Sequence, residues 1–376
     1  MTRRDPIDDL RGATRLAVDA TRGVTSIVEK MQRTIAAPAV LGRPLDDVHR
    51  VLVAPIYAAV RGVTSLVGLG LDAALRPLSG TLPAGDRRDL VAAVNGVLGD
   101  YLVATGNPLA IDMTLRAASA PERTGKRVLL LVHGSCMSDR GWLRHGHDHG
   151  AALARDLGYT PLYVSYNSGL HISTNGQRLA ALLEESQAIA DADELSILGH
   201  SMGGLVARSA CAFAEGAGYA WRNKLQKLVC VGSPHHGAAL ERGGNLLQLA
   251  VGVSRYSAPL ARLGTIRSAG VTDLRYGNVL DADWQGRDRF AHGGDERTPL
   301  PLPEGVTSYA LAGSIAATPR DRAPGDGMVS IESALGRHRD PERTLAFSHE
   351  TIAHGTHHLD LLSREEVYAT LRDWLS

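Results

Sequence analysis

The sequence predicts an α/β fold: a mostly parallel sheet flanked by helices, with an N-terminal helical extension and an inserted cap. Three observations lead there. From Arg127 onward, apolar runs of strand length alternate with helical patterns. These runs are apolar throughout, as parallel strands covered on both faces are. Before about residue 120, apolar residues instead recur at spacings of three and four, the mark of a helix face.

In the N-terminal region, Leu10, Ala13, Ala17, Ala20, Val24, Ile27 and Met31 form one stripe. Asp5 followed by Pro6 suits a helix start, an N-cap and then proline at the first helical position. A second apolar segment, Val51 to Leu78, partly repeats the first: RGVTSIV at Arg22–Val28 returns as RGVTSLV at Arg61–Val67. Two copies indicate a duplicated helical element, short of the roughly three repeats that a solenoid needs. Val51 to Leu71 reaches the length of about 20 apolar residues that spans a bilayer. Arg61 at its centre opposes insertion by roughly 2.5–3.5 kcal/mol, and Pro55 interrupts it. The segment therefore reads as helices packed on one another, with a peripheral helix lying on a membrane surface as the alternative.

The main domain is expected over residues 121–376, with 1–120 as the helical region. Its strands are RVLLLV (Arg127–Val132), PLYVSY (Pro161–Tyr166), ELSIL (Glu194–Leu198), KLVCVG (Lys227–Gly232) and VTSYALA (Val306–Ala312). Helical patterns fall at Gln177–Ala188 and Glu365–Leu375. The stretch 239–303 has no clear strand and is too long for an ordinary loop, so it is read as the cap.

Composition narrows the partners. The formal net charge is zero, which argues against nucleic acid, since phosphate binding needs a basic surface. Cys136, Cys211 and Cys230 form neither a disulfide framework nor a C-x-x-C zinc pair. The opening MTRRDPIDDL lacks the apolar stretch of a secretory signal, so a cytoplasmic location is expected, with peripheral membrane contact through the N-terminal helices as an added possibility.

The chemistry centres on GHSMG (Gly199–Gly203), a G-x-S-x-G that follows a strand and precedes a helical stretch. That context describes a sharp turn that lifts the Ser201 hydroxyl above the sheet. The N–H of Met202, at the helix N-terminus, can then donate to an oxyanion. A serine hydroxyl needs a base, and the base needs an orienting acid. In this arrangement the acid and then the base follow the serine along the chain. Asp326, in PGDGMVS after VTSYALA, is chosen as acid, with Glu332 and Asp321 as alternatives. His358 is chosen as base because HLDLL leads into the final helix; His357 and His354 compete. LVHGSCMSD (Leu131–Asp139) supplies the second oxyanion donor, assigned to the N–H of Ser135 with Cys136 as alternative. Cys136 has no evident base and reads as a small apolar side chain.

Taken together, LVHGSCMSD, LGHSMGGLV, VGSPHHGA (Val231–Ala238), GDGMVS and HHLDLL make the chain from about Lys126 to Ser376 resemble the α/β-hydrolase superfamily. Within it, the chain resembles bacterial lipases and PGAP1-like (GPI inositol-deacylase-like) esterases. The resemblance implies Ser201 as nucleophile, Asp326 as acid and His358 as base, with no cofactor. Some lipases of this superfamily hold calcium through an aspartate just after the catalytic histidine, here Asp360. Arg364 stands where a neutral ligand is expected, a departure that counts against such a site. RHGHDHG (Arg144–Gly150) alternates three imidazoles but lacks a second ligand cluster, so no metal is assigned to it.

The expected function is cleavage of a carboxylic ester, with a small-molecule ester or lipid as substrate. A transacylase with the same triad, and a membrane-surface adaptor carrying a dormant hydrolase domain, are the alternatives.

Overall fold

The computed structural model describes residues 84–117, 126–238, 268–289, 294–319 and 325–376, together with Asp9, Gly12, Ala13, Arg15 and Leu16. Of the N-terminal stripe only Ala13 is described, as a buried helical residue. The segment Val51 to Leu78 and the cap residues 239–267 and 290–293 lie outside the described residues. The chain divides into two compact units, Met1–Arg87 with Ala104–Leu109, and Arg88–Val103 with Ala110–Ser376. The second unit contains the sheet and is described from here on.

Seven strands form one sheet: β1 (Thr114–Ala117), β2 (Arg127–Val132), β3 (Thr160–Ser165), β4 (Glu194–His200), β5 (Leu225–Val231), β6 (Thr307–Ser314) and β7 (His349–His354). Their order across the sheet is β1-β3-β2-β4-β5-β6-β7. Among the described strands only β1 runs antiparallel, against β3. The sheet and its flanking helices are the expected α/β-hydrolase architecture.

The sequence of β2 shows why its strands read as unbroken apolar runs. Val128, Leu130 and Val132 enter one core together with α3 (Ile172–Glu184) and α4 (Met202–Ala217). Leu129 and Leu131 point to the opposite core, shared with α2 (His149–Leu157) and α5 (Glu365–Leu375). Alternate side chains thus feed two cores, and both must be apolar. Local caps fix the helix ends: the Asp148 side chain accepts from Ala151 N at the start of α2, and Gly158 and Gly218 close α2 and α4 in the left-handed region.

Two strands depart from the sequence reading. Thr114–Ala117 lies inside the region read as helical, but pairs Thr114 with Ser165 through Ala117 with Leu162. Four partly exposed residues carry almost no periodic signal, so pairing with β3 decides their conformation. His349–His354, which carries no apolar run of strand length, forms the far edge. Its charged, half-exposed residues suit an edge strand and hide the apolar pattern. A long helix, α1 (Ala84–Ala104), precedes the sheet. From it, Gly96 backs against Cys136 and Gly99 against Asn167, so closely that a Cβ at Gly99 would lie 1.8 Å from Asn167 Oδ1.

Register brings the functional loops together. Val132 pairs with Gly199, His200 with Val231, Val231 with Leu311, and Ser314 with His354. The C-terminal ends of β2, β4, β5, β6 and β7 therefore share one rim, where ligands of parallel sheets bind.

Candidate active site

Ser201 sits at the junction of β4 and α4 with φ 55° and ψ −126°. A non-glycine residue in this region carries strain on the order of 1–3 kcal/mol, held by its surroundings. Here the Ser201 N–H donates to Val231 O at 2.9 Å, and Gly204 N–H donates to Ser201 O at 3.1 Å. The turn leaves no room for side chains at the flanking glycines. A Cβ at Gly203 would fall 2.1 Å from Val132 O, and one at Gly199 would fall 2.5 Å from Gly204 N.

Asp326 and His358 meet on the same rim. His358 Nδ1 and Asp326 Oδ2 are 2.6 Å apart, and both residues are buried. Asp326 Oδ1 accepts from the N–H groups of Met328 at 2.9 Å and Val329 at 2.8 Å. The Asp326 carbonyl accepts the His358 N–H at 3.0 Å. The acid loop and the base loop are thus stitched together through backbone as well as side chain.

Gly232 links this pair to the elbow. It follows Val231, the residue that holds the Ser201 N–H, and has φ +60°. A Cβ there would meet His358 Cε1 at 3.2 Å and Asp326 Oδ2 at 3.3 Å. His200 supplies a second link. Its ring lies 4.9 Å from that of His358, and its Nε2 donates to the His358 carbonyl at 3.2 Å. Burial, then the neighbouring His358, hold the His200 imidazole well below its ordinary range.

The competing residues fall elsewhere. His357 is exposed, His354 ends β7, and Glu332 is exposed in the first turn of the short helix Ile331–Ala334. Asp321 lies outside the described residues.

The loop after β2 faces the elbow, where a Cβ on Gly134 would touch Ser201 Cβ at 3.0 Å. The Cys136 N–H is committed to Ser168 Oγ at 2.9 Å, which leaves Ser135 as the candidate donor from this loop. Met202 opens α4, so its N–H has no intrahelical acceptor, and the Ser201 side chain does not cap it. Burial pushes the Cys136 thiol up to about 11, against a thiolate role.

From sequence, YNSGLH after β3 is expected to shape the acyl or alcohol pocket at the sheet rim, with no role for any single residue. Tyr166 stacks on His133 at 4.3 Å and donates its hydroxyl to the His133 carbonyl at 2.7 Å, while Ser168 fixes Cys136. These residues brace the HG loop. Their position at a strand end was the only signal available.

In the RHGHDHG stretch, His147 Nε2 lies 2.8 Å from His149 Nδ1, and His149 Nε2 lies 3.0 Å from Leu361 O. Asp360 lies 3.8 Å from Arg144 Nη2. Among the described residues no group of three or more histidine, cysteine and acidic side chains is arranged to hold a metal. All three cysteines are free and buried. No described helix is long and apolar enough to cross a membrane.

Sheet order and register make an α/β-hydrolase fold. Residues 123–296 match the family described as PGAP1-like alpha/beta domain. The lipase BlEst2 of Bacillus licheniformis, in mature form, superposes with TM-score 0.47 at 19% identity, covering 70% of this chain and 98% of its own. A lipase-esterase related protein from Clostridium acetobutylicum gives TM-score 0.41 at 11% identity, covering 70% of this chain and 98% of that one. Naproxen esterase from Bacillus subtilis gives 0.40 at 13%, covering 70% and 87%. No curated protein sequence matches.

Proposed function

We propose that the chain is a serine-dependent carboxylic ester hydrolase. Ser201 Oγ attacks the ester carbonyl while His358 accepts its proton through Nε2. His358 then returns that proton to the departing alcohol oxygen, leaving an acyl-serine. A water molecule, deprotonated by the same imidazole, releases the acid and restores the serine. Asp326 holds the imidazole through Nδ1, which keeps Nε2 toward the reaction. The N–H groups of Ser135 and Met202 receive the tetrahedral oxyanion, each worth on the order of 3–4 kcal/mol.

The observation that carries this reading is the buried Asp326–His358 pair against Gly232, one residue beyond the carbonyl that anchors the strained Ser201. Its test is fluorophosphonate labelling of the wild type and Ser201→Ala. Labelling of the first alone supports the reading, whereas equal labelling, or none, removes it.

A lipidic or acyl-chain substrate is favoured by the apolar sequence of 239–267 and by the N-terminal stripes. A series of esters of rising acyl length should show a preference for longer chains; a flat response defeats this part. The same stripes support peripheral membrane contact, which co-sedimentation of the full chain with lipid vesicles tests.

A further inference from the structure

We infer that the SPHHG turn and α4 enclose a binding site for a small oxyanion, a carboxylate or phosphate, separate from the ester-cleaving residues. Arg208, His235, His236, Arg297, Thr298 and Arg343 line a small pocket of about 20 Å³. Three guanidiniums therefore face one small volume.

Their compensation is uneven. Arg297 grips Asp295 through Nε at 2.8 Å and Nη2 at 2.7 Å. Arg343 shares the same carboxylate at 3.3 Å, with Asp340 at 3.5 Å. Arg208 is 4% exposed and makes no ion pair with any described residue. Its Nη2 donates to Leu300 O at 2.6 Å and its Nη1 to His235 Nδ1 at 3.3 Å. The nearby Asp283 turns its oxygens to the N–H groups of Val279, Leu280 and Thr298. A buried charge without a partner is costly.

The unsatisfied atoms share one polarity. A guanidinium can only donate, so His235 Nδ1 must accept and His235 Nε2 must carry the proton. Likewise His236 Nδ1 accepts from Arg297 Nη2 at 3.2 Å, and its Nε2 donates to Gly336 O at 2.9 Å. Burial, reinforced by Arg208, holds His235 well below its usual range, consistent with the neutral ring. Arg208 Nε and His235 Nε2 are both buried without a hydrogen-bond partner among the described residues, and both are donors. These two donors need an acceptor, and Arg208, unlike Arg297 and Arg343, has no carboxylate in contact among the described residues. An oxyanion supplies both needs, with the bidentate geometry that guanidinium favours.

This inference does not depend on the esterase reading, and its test involves no ester. The full chain is melted at constant ionic strength while inorganic phosphate or acetate replaces chloride. A midpoint that rises and saturates with either anion is expected, and the arm that responds identifies phosphate or carboxylate. Arg343→Gln and Arg208→Met should abolish the saturable rise. If Arg208→Met does not fold, Arg343→Gln followed by isothermal calorimetry with the responding anion decides. An absent or non-saturating rise, or an unchanged response in Arg343→Gln, overturns the site and leaves a water-filled pocket.

Discussion

Every oxygen of the Asp326 side chain has an assigned donor, two backbone N–H groups on Oδ1 and the imidazole on Oδ2. Asparagine could keep the first pair but would offer an N–H to His358 Nδ1 and favour the wrong tautomer. Asp326→Asn should therefore lower kcat by about 10⁴ with little change in melting temperature. Kinetics beside a thermal melt checks this, and a loss below tenfold would remove Asp326 from the acid role. Gly232→Ala probes the same spot differently. A left-handed φ costs a side chain roughly 1–2 kcal/mol, and the added methyl would press on both partners, with Leu361 Cδ1 at 2.9 Å. A displacement of about 1 Å should cost on the order of 10² in kcat. Unchanged kcat in a folded variant would show that the pair tolerates movement there. Of these residues, motif and chain order single out Ser201, Asp326 and His358 in the sequence, and the structure brings the last two into contact. His200 was in plain view within the motif, but only the neighbouring loop gives it a partner.

Elements separate stability from chemistry. Trp221 is buried ahead of β5, at the end of that strand opposite Val231, and its Nε1 donates to Ala180 O at 2.9 Å. Trp221→Ala should cost about 3–5 kcal/mol in urea unfolding while kcat of the folded enzyme is largely kept. A matching collapse of kcat would mean that the two ends of β5 are coupled. The elements found from sequence were those with strong patterns: β2 to β6 and the last helix. The ends moved by one or two residues, as at β3, because pairing rather than composition sets where a strand stops. β1 and β7 escaped because short or charged edge strands owe their conformation to a neighbour.

Across the whole molecule, the buried histidines set the acid limit. Burial lowers His133, His149 and His236 to about 4, and holds His200 and His235 well below the ordinary value of 6.5. In the unfolded chain these groups take up protons near pH 6.5, while in the fold His133, His149 and His236 do not until about pH 4, and burial keeps His200 and His235 neutral well below 6.5. The unfolded state thus binds more protons in this window. Their effect is absent above about pH 7, and stability falls as pH drops from about 6.5 toward 4, by up to about 1.4 kcal/mol per pH unit for each histidine. Urea unfolding at pH 7.5, 6 and 5 should show this decline. Equal stability at all three would mean that the rings are protonated or solvated in the fold.

By itself, the sequence determined the α/β class, the elbow and the order of its partners, since these rest on local pattern: apolar runs, a glycine-flanked serine, a D-G turn and a histidine before a helix. Tertiary structure decided which histidine meets Asp326, which backbone amide stays available after Ser168 claims Cys136, and where three arginines converge. The physical reason is distance along the chain. Asp326 and His358 are separated by 32 residues, and Arg208 and Leu300 by 92. Strand register, to which no short stretch of sequence commits, brings such residues to one rim.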